Sequence, residues 1–526
     1  MNIRIRPVFL ATLALTVLLG GGAAMAHDDV LVIAISGDIE TLDPPFSRFQ
    51  RSNETNLNVY DQFFRYGRRD TGQGYSIADT GTIEGAAVES WQWSDDGLSI
   101  VLDIRQGVTF PKTGRELTAD DFIYWFDRAH GTESGTAWNV NTAGITSYEK
   151  TGDHQVTLQF SNPSPWFFYL FRDQSQGPMD HVEAQAHVES DDPWATRWLA
   201  KNDVGSGEYY VESWEAGVQM VLRANPDYWA GPAFFEEIIL QIVPNSADRA
   251  LLLREGEVDI ATGLSTDELA ALRDSDGVKV LSIPTRNQMI FGFNVQRAPF
   301  DDVRVRQALS YAVPGEAIAQ GIFGGNALVS AGPIPVDGQN HDGSLWPYSF
   351  DLDKASALLA EAGYGDGFEF TLDIASGLPT TEQIAVVLQD AFKDIGVTMN
   401  INPQPAAVFA EQLGTLEHHA WMRDLLWYVD DAGYTGDLFF RTDAVVNWMG
   451  YSDAELDGII DEMTVTLDAG RKAELAKRYQ EILIEAAPAL YISEMPFEIA
   501  MRDNIHGYVQ LPDNLLWYWP LYRGDG

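Results

Sequence analysis

Three short constellations in this sequence hold side chains that could do chemistry. Asp430 and Asp431 are adjacent carboxylates, His418 and His419 are adjacent imidazoles, and Ser206 stands between Gly205 and Gly207. Two acids cleave a glycosidic bond only when they flank it from opposite sides, which neighbours in sequence are not placed to do. Adjacent histidines on a regular element point to opposite faces, so the pair is ill suited to holding one metal ion and reads as ordinary polar residues. The Gly205-Ser-Gly207 stretch lacks the lysine of a phosphate-binding loop, Ser134-Gly-Thr136 does not form a nucleophile elbow, and the sequence holds no H-E-x-x-H. Cysteine is absent from all 526 residues, which removes thiol nucleophiles, thiolate metal sites and disulfides. The residue types point to binding without catalysis, and no metal or cofactor is expected.

Composition narrows the partners. Lys and Arg number 34 against 77 Asp and Glu, a formal net charge of -43. Nucleic acid and anionic membrane surfaces are excluded as partners by that sign. The acids are scattered along the chain as a solvated surface would have them; adaptation to a saline habitat is the other reading. At the N-terminus, Arg4 and Arg6 precede an apolar run from Val8 to Leu19 and then Ala24-Met25-Ala26. This is the pattern of a secretory signal peptide, giving residues 1–26 as the leader and His27 as the first mature residue. With no cysteine for a lipid anchor, the expectation is a free periplasmic protein, and a monomer.

The elements that must position any site alternate between strand and helix. Val30 to Ile35 reads as a buried strand broken by the loop from Gly37 to Pro45, and Leu98 to Ile104 as a half-buried strand. Thr118 precedes a helix from Ala119 to about Ala129, with Asp120 and Asp121 in its first turn. Helices Ser246 to Glu255 and Thr266 to Arg273 lie between strands at Glu237 to Val243 and Lys279 to Ile283. A second such region follows Phe291, where helix Asp353 to Ala362 ends at Gly363 and helix Glu382 to Ile395 at Gly396, each before a strand. Helix, glycine, strand, repeated without a flexible linker, predicts two α/β lobes joined by crossing strands, for which Ile290 to Val295 and Ala489 to Ser493 are the candidates. Some of the fifteen Trp, twenty Tyr and twenty-six Phe are expected to line the cleft between the lobes.

An ordered series of segments then resembles a known family. Thr41-Leu-Asp-Pro44, Val59-Tyr-Asp61, Glu89-Ser-Trp91 with Ser94-Asp-Asp-Gly-Leu98, Ile104-Arg-Gln-Gly-Val-Thr-Phe110 and Leu117-Thr-Ala-Asp-Asp121 come first. Asp203-Val-Gly-Ser-Gly-Glu-Tyr209, Asn225-Pro-Asp-Tyr-Trp229, Glu255-Gly-Glu-Val-Asp-Ile260, Gly292-Phe-Asn294 and Pro299-Phe-Asp-Asp-Val-Arg-Val-Arg-Gln-Ala308 follow, with Gly450-Tyr-Ser452, Leu456-Asp457 and Ala487-Pro488 near the end. In this order they resemble the extracytoplasmic solute-binding proteins of family 5, the peptide, dipeptide and nickel receptors of ABC importers. The resemblance implies a two-lobed periplasmic-binding-protein fold (cluster C-like), α/β, with strand hinges. Lobe I would comprise 27–70, 200–291 and 491–526, lobe II 292–490, and residues 71–199 an extra subdomain inserted in lobe I. It further implies capture of a peptide or other small solute in a cleft that closes between the lobes, and delivery to membrane permease subunits.

The same resemblance suggests which side chains meet the ligand. Trp427-Tyr428-Val-Asp430 is similar to the family's W-x-x-D element, whose aspartate pairs with a peptide's α-amino group while the aromatic residues line the cleft; an aspartate there can equally satisfy a loop or helix end. Asp431-Ala-Gly-Tyr434 follows without the aspartate-proline that peptide receptors carry. Ala375-Ser-Gly-Leu-Pro-Thr-Thr381 lacks the arginine with which dipeptide receptors bind the carboxylate. A longer peptide held through its backbone is therefore expected over a strict dipeptide, with an oligosaccharide or other non-peptide solute as the alternative. Phe46 and Phe49, beside the T-L-D-P loop, and Ser206 are the remaining cleft candidates, core packing being the other reading for the phenylalanines. Asn294, at the first expected crossing, would bridge the lobes or merely tie strands together.

Overall fold

The computed structural model describes residues 29–47, 49–132, 134–172, 177–444 and 446–524, so the expected leader lies outside the described residues. Among them no helix is long and apolar enough to cross a membrane.

One eleven-stranded sheet runs through both lobes. Its N-terminal half is built on strand Val30–Ile35, where Leu31, Ile33 and Ile35 are buried and which pairs in parallel with Glu237–Ile242 and with Ile260–Ala261. Its other half centres on Phe368–Ala375, parallel to both Val397–Gln404 and Ala420–Leu426. Two long antiparallel strands, Val278–Phe293 and Ala489–Arg502, belong to both halves.

Pro284 governs how those strands cross. A proline offers no N–H to a ladder and is tolerated at a bulge. The strand expected over Lys279 to Ile283 does not end there; it runs through the proline, and the register shifts between Ile283 and Asn287 instead. Thr285 Oγ1 repairs part of the gap by donating to Met495 O at 2.8 Å. Residues 278–283 pair with 497–502 beside the N-terminal half, whereas 287–293 also pair with Ala420–Leu426 in the other half. The strands therefore pass between lobes at Pro284–Arg286 and Glu494–Pro496. The expected crossings at Ile290 to Val295 and Ala489 to Ser493 lie inside the second half's ladder.

A separate four-stranded sheet, in the order Val88–Trp93, Ser99–Ile104, Gln155–Phe160, Ile145–Gly152, packs beneath helix Ala119–Thr132. The helix buries Phe122, Trp125, Phe126 and Ala129, a spacing that puts all four on one face; Phe63 stacks on Phe122 and meets Trp125 edge-on, and Phe171 stacks on Phe63. Asp121 Oδ2 accepts from Thr118 N at 2.9 Å and closes the first turn. The C-terminal segment returns to the N-terminal half. Leu516 N and Tyr518 OH donate to Glu54, and Tyr518 N donates to Asn58 Oδ1 at 2.7 Å.

Candidate functional site

The cleft lies where the long strands change lobes. One wall comes from hairpin Phe64–Asp70 and Ser76–Gly85, the end of helix Phe167–Phe171, and the loop around Asp513. Arg172, at the helix end, reaches Asp513 Oδ2 at 3.0 Å, and its guanidinium sits 4.8 Å from the centre of the Tyr66 ring. Burial pushes the Tyr66 hydroxyl's pKa up, and Arg172 opposes that. The other wall is the segment after strand Ala420–Leu426, which carries Trp427 to Asp431, together with the loop from Pro335 to Gln339. Tyr169 connects the walls: its hydroxyl is pushed up to about 12 by burial, with Tyr66, Asp431 and Asp430 adding to the rise. Between them is a cavity of about 70 Å³ whose lining includes Ile77, Arg286, Asp337, Trp427 and Leu511.

Charge is concentrated at the strand crossing. Arg286, next to the Pro284 break, places Nη2 3.1 Å from Asp430 Oδ2 and Nε 3.3 Å from Asp337 Oδ1. The other oxygen of Asp430 accepts from Gln339 N at 2.8 Å. Asp430 is buried, and its carboxyl is raised above the ordinary range by desolvation, with Arg286 and the Gln339 N–H pulling the other way and Asp337 and Asp431 adding to the rise. Opposite, on Ala489–Arg502, Glu494 Oε1 accepts from Val336 N at 2.7 Å. Burial pushes Glu494 up to about 7, against the Val336 N–H, the Gln288 amide and Arg286 and with Asp337. Asp430 and Glu494 thus hold the same loop, at Gln339 and Val336.

The expected W-x-x-D element is divided between lobes. Trp427 packs with Ile334, Phe409 and Trp421 of its own lobe, and its Nε1 has no hydrogen-bond partner among the described residues. Val429 and Tyr434 insert into the core of the four-stranded unit, with Tyr428 packed against it. Tyr434 meets Trp166 edge-on at 5.4 Å, and its hydroxyl lies 2.5 Å from that of Tyr428. Asp431 is a helix cap. Its Oδ1 accepts from Gly433 N and Tyr434 N, and its Oδ2 pairs with Lys472 at 2.5 Å.

The remaining candidates lie apart from this cavity. Phe46 is half-buried in the turn Pro44–Phe46 with Arg128 over its ring at 5.8 Å, while Phe49 is 68% exposed. Ser206 is buried, and its Oγ has no partner among the described residues. Its neighbours Gly205 and Gly207 press on the Val59 backbone, so the V-G-S-G stretch packs a strand start against a helix end. Asn294 donates to Leu416 O at 2.9 Å and His418 O at 3.1 Å, ties that stay within lobe II. His418 is buried with Nε2 2.8 Å from Trp448 O, and burial lowers its pKa. No group of three or more His, Cys, Asp or Glu suited to a metal occurs among the described residues. Sequence reasoning missed Arg286, Glu494, Tyr66 and Arg172. An arginine two residues after a proline, in the polar interruption Pro284-Thr-Arg-Asn-Gln288 between apolar strand residues, was the available signal for the first.

Known proteins resemble this chain over nearly its whole length. The family model of bacterial extracellular solute-binding proteins, family 5 (middle), matches residues 82–446. A probable D,D-dipeptide-binding periplasmic protein of Escherichia coli is 25% identical over 524 residues, 97% of each chain. Heme-binding protein A of Haemophilus influenzae is 25% identical over 485 residues, 88% of this chain and 86% of that one. The structure of the ABC transporter-associated periplasmic binding protein DppA from Helicobacter pylori, in complex with the peptide STSA, matches with a TM-score of 0.79 at 22% identity. That match covers 94% of this chain and 98% of the other.

Proposed function

The chain belongs to the bacterial extracellular solute-binding proteins of family 5, and from that premise we propose that it captures peptides in the cleft at the strand crossing for delivery to the permease subunits of an ABC importer. It is a substrate-binding protein and not an enzyme. The finer reading is an oligopeptide rather than a strict dipeptide, bound in the periplasm by a monomer.

The observation that carries the reading is the cavity itself. At about 70 Å³ it is far below the roughly 300–1,000 Å³ of a small-molecule pocket. Admission of a peptide thus requires the lobes to part. The two strands at Pro284–Arg286 and Glu494–Pro496 are the connections able to flex, because the ladder is already interrupted there. Trp427 supplies an apolar face and an unused N–H beside the cavity, suited to a peptide carbonyl. The relatives named for dipeptide and peptide binding support the class of ligand. The absence of an arginine in 375–381 supports a ligand held along its backbone rather than by its carboxylate.

A second reading, an oligosaccharide or other non-peptide solute, draws on Trp427 as a stacking surface at the cavity and on the relative named for heme binding. Mass spectrometry of the solute that co-purifies, followed by thermal-shift screens of peptides and oligosaccharides, separates the two, since a ligand stabilises the form it binds. Stabilisation by sugars with none by peptides would sink the peptide assignment.

A further inference from the structure

Every carboxylate oxygen of the Asp430-Asp431 pair is already in use. Asp430 Oδ1 takes Gln339 N and Oδ2 takes Arg286, while Asp431 Oδ1 caps a helix and Oδ2 takes Lys472. The Arg286 and Asp430 side chains are only 17% and 5% exposed, so this ion pair is largely withdrawn from water. A ligand ammonium would have to expel a guanidinium that is tethered to the same site. The tethered group competes at an effective concentration on the order of millimolar or above, whereas a scavenged solute arrives far more dilute. A displaced Arg286 would keep the field of Glu494, with which it makes no ion pair among the described residues, and the contact with Asp337, whose side chain is 56% exposed and whose attraction is screened by solvent.

We propose that Arg286 is a specificity-determining residue that permanently occupies the carboxylate position at Asp430, so that this protein selects solutes lacking a free amino terminus, such as N-acylated peptides or amino-acid conjugates. The proposal rests on the reading of the strand-crossing cleft as the capture site. It assigns Arg286 the part that a ligand's ammonium group would otherwise play, and it removes any affinity gain from a free amino end.

The probes are a mixture of tetrapeptides with free amino termini and the same mixture N-acetylated, titrated by calorimetry into the full chain and into Arg286→Met. The expected result is wild-type binding to the acetylated mixture at least as tight as to the free one, and a reversal in Arg286→Met that favours free amino termini at least tenfold. A wild type that favours the free mixture tenfold, or a variant whose preference equals that of wild type, overturns the proposal. Thermal midpoints of Arg286→Met, Asp430→Asn and the double variant judge the pair without any ligand. A double variant no less stable than the weaker single variant upholds a resident pair; additive losses overturn it. If neither mixture binds either protein, the peptide reading fails, and the midpoints alone decide whether Arg286 holds Asp430.

Discussion

Replacing Glu494 by Gln tests the electrostatics of the strand crossing, because the substitution keeps the shape and the acceptor for Val336 N but cannot ionise. Burial sets the native carboxyl at about 7 against an ordinary 4.5. At 1.36 kcal/mol per tenfold change, that gap is worth about 3 kcal/mol of preference for the protonated form in the folded state. A raised native pKa contributes stability that is complete below the unfolded value and is lost as pH rises through the native value. Wild type should therefore weaken between pH 5 and pH 8.5 by about 2.5 kcal/mol on account of this group, and Glu494→Gln should not. The groups facing Glu494 are Asp337, Arg286, the Gln288 amide and the Val336 N–H, none of which is altered. Glu208, also buried and also pushed up to about 7, titrates in the same range but is common to both proteins and cancels in their difference. Urea unfolding at both pH values, followed by tryptophan fluorescence, gives the quantity needed. A gap between variant and wild type that grows by about 2.5 kcal/mol supports the reasoning, and one constant within about 0.5 kcal/mol refutes it.

Three further outcomes follow from the packing. Asp43 and Arg128 form a fully buried ion pair, so Asp43→Asn strands a guanidinium in the core and should cost about 3–5 kcal/mol in urea unfolding; a loss under about 1 kcal/mol would contradict the burial. A Cβ at Gly205 would lie 2.1 Å from Val59 O, so Gly205→Ala should lower the thermal midpoint sharply, by about 1–3 kcal/mol or more of overpacking, and an unchanged midpoint would show that the helix end yields freely. Tyr434→Ala removes the ring that meets Trp166 across the cleft, so small-angle scattering should show a larger radius of gyration; an unchanged radius would mean that other contacts hold the lobes together.

The alternating elements were legible because local rules wrote them. Ile100, Leu102 and Ile104 are buried every second residue, as their pattern required, and the helix after Thr118 exposes one face and buries the other. The strand through Pro284 was not legible, because a single register shift accommodates the proline only when partner strands are already in place on both sides. The partners of the Asp430-Asp431 pair were equally hidden. Arg286 and Gln339, which hold Asp430, and Lys472, which holds Asp431, come from three separate parts of the chain, and no spacing in the sequence brings them to one point. Asn294 reads from the sequence as a bridge between lobes or a tie between strands, and its bonds to Leu416 O and His418 O are of the second kind; Phe49, beside the T-L-D-P loop, is 68% exposed.

The segments that carry the family resemblance explain why fold is easier to read here than ligand. Asp43 of Thr41-Leu-Asp-Pro44 is spent on Arg128, and Asp61 accepts from both Tyr228 and Trp229 of Asn225-Pro-Asp-Tyr-Trp229. Asn225 of that same segment donates to Gly207 O at 3.1 Å, which joins it to the V-G-S-G stretch. Arg306, within Pro299 to Ala308, donates to the carbonyl oxygens of Phe300, Ala486 and Ala487 and so ties in Ala487-Pro488. Several of the motifs thus satisfy one another or a neighbouring element, and those bonds help to hold the frame of two lobes and an inserted unit. Groups that face the cavity, Arg286 and Asp337 among them, lie outside those motifs and are free to differ without cost to the frame. A chain can therefore match the whole pattern and still present a cleft of its own chemistry. Here an arginine at the crossing does what the recognisable W-x-x-D element alone would never disclose.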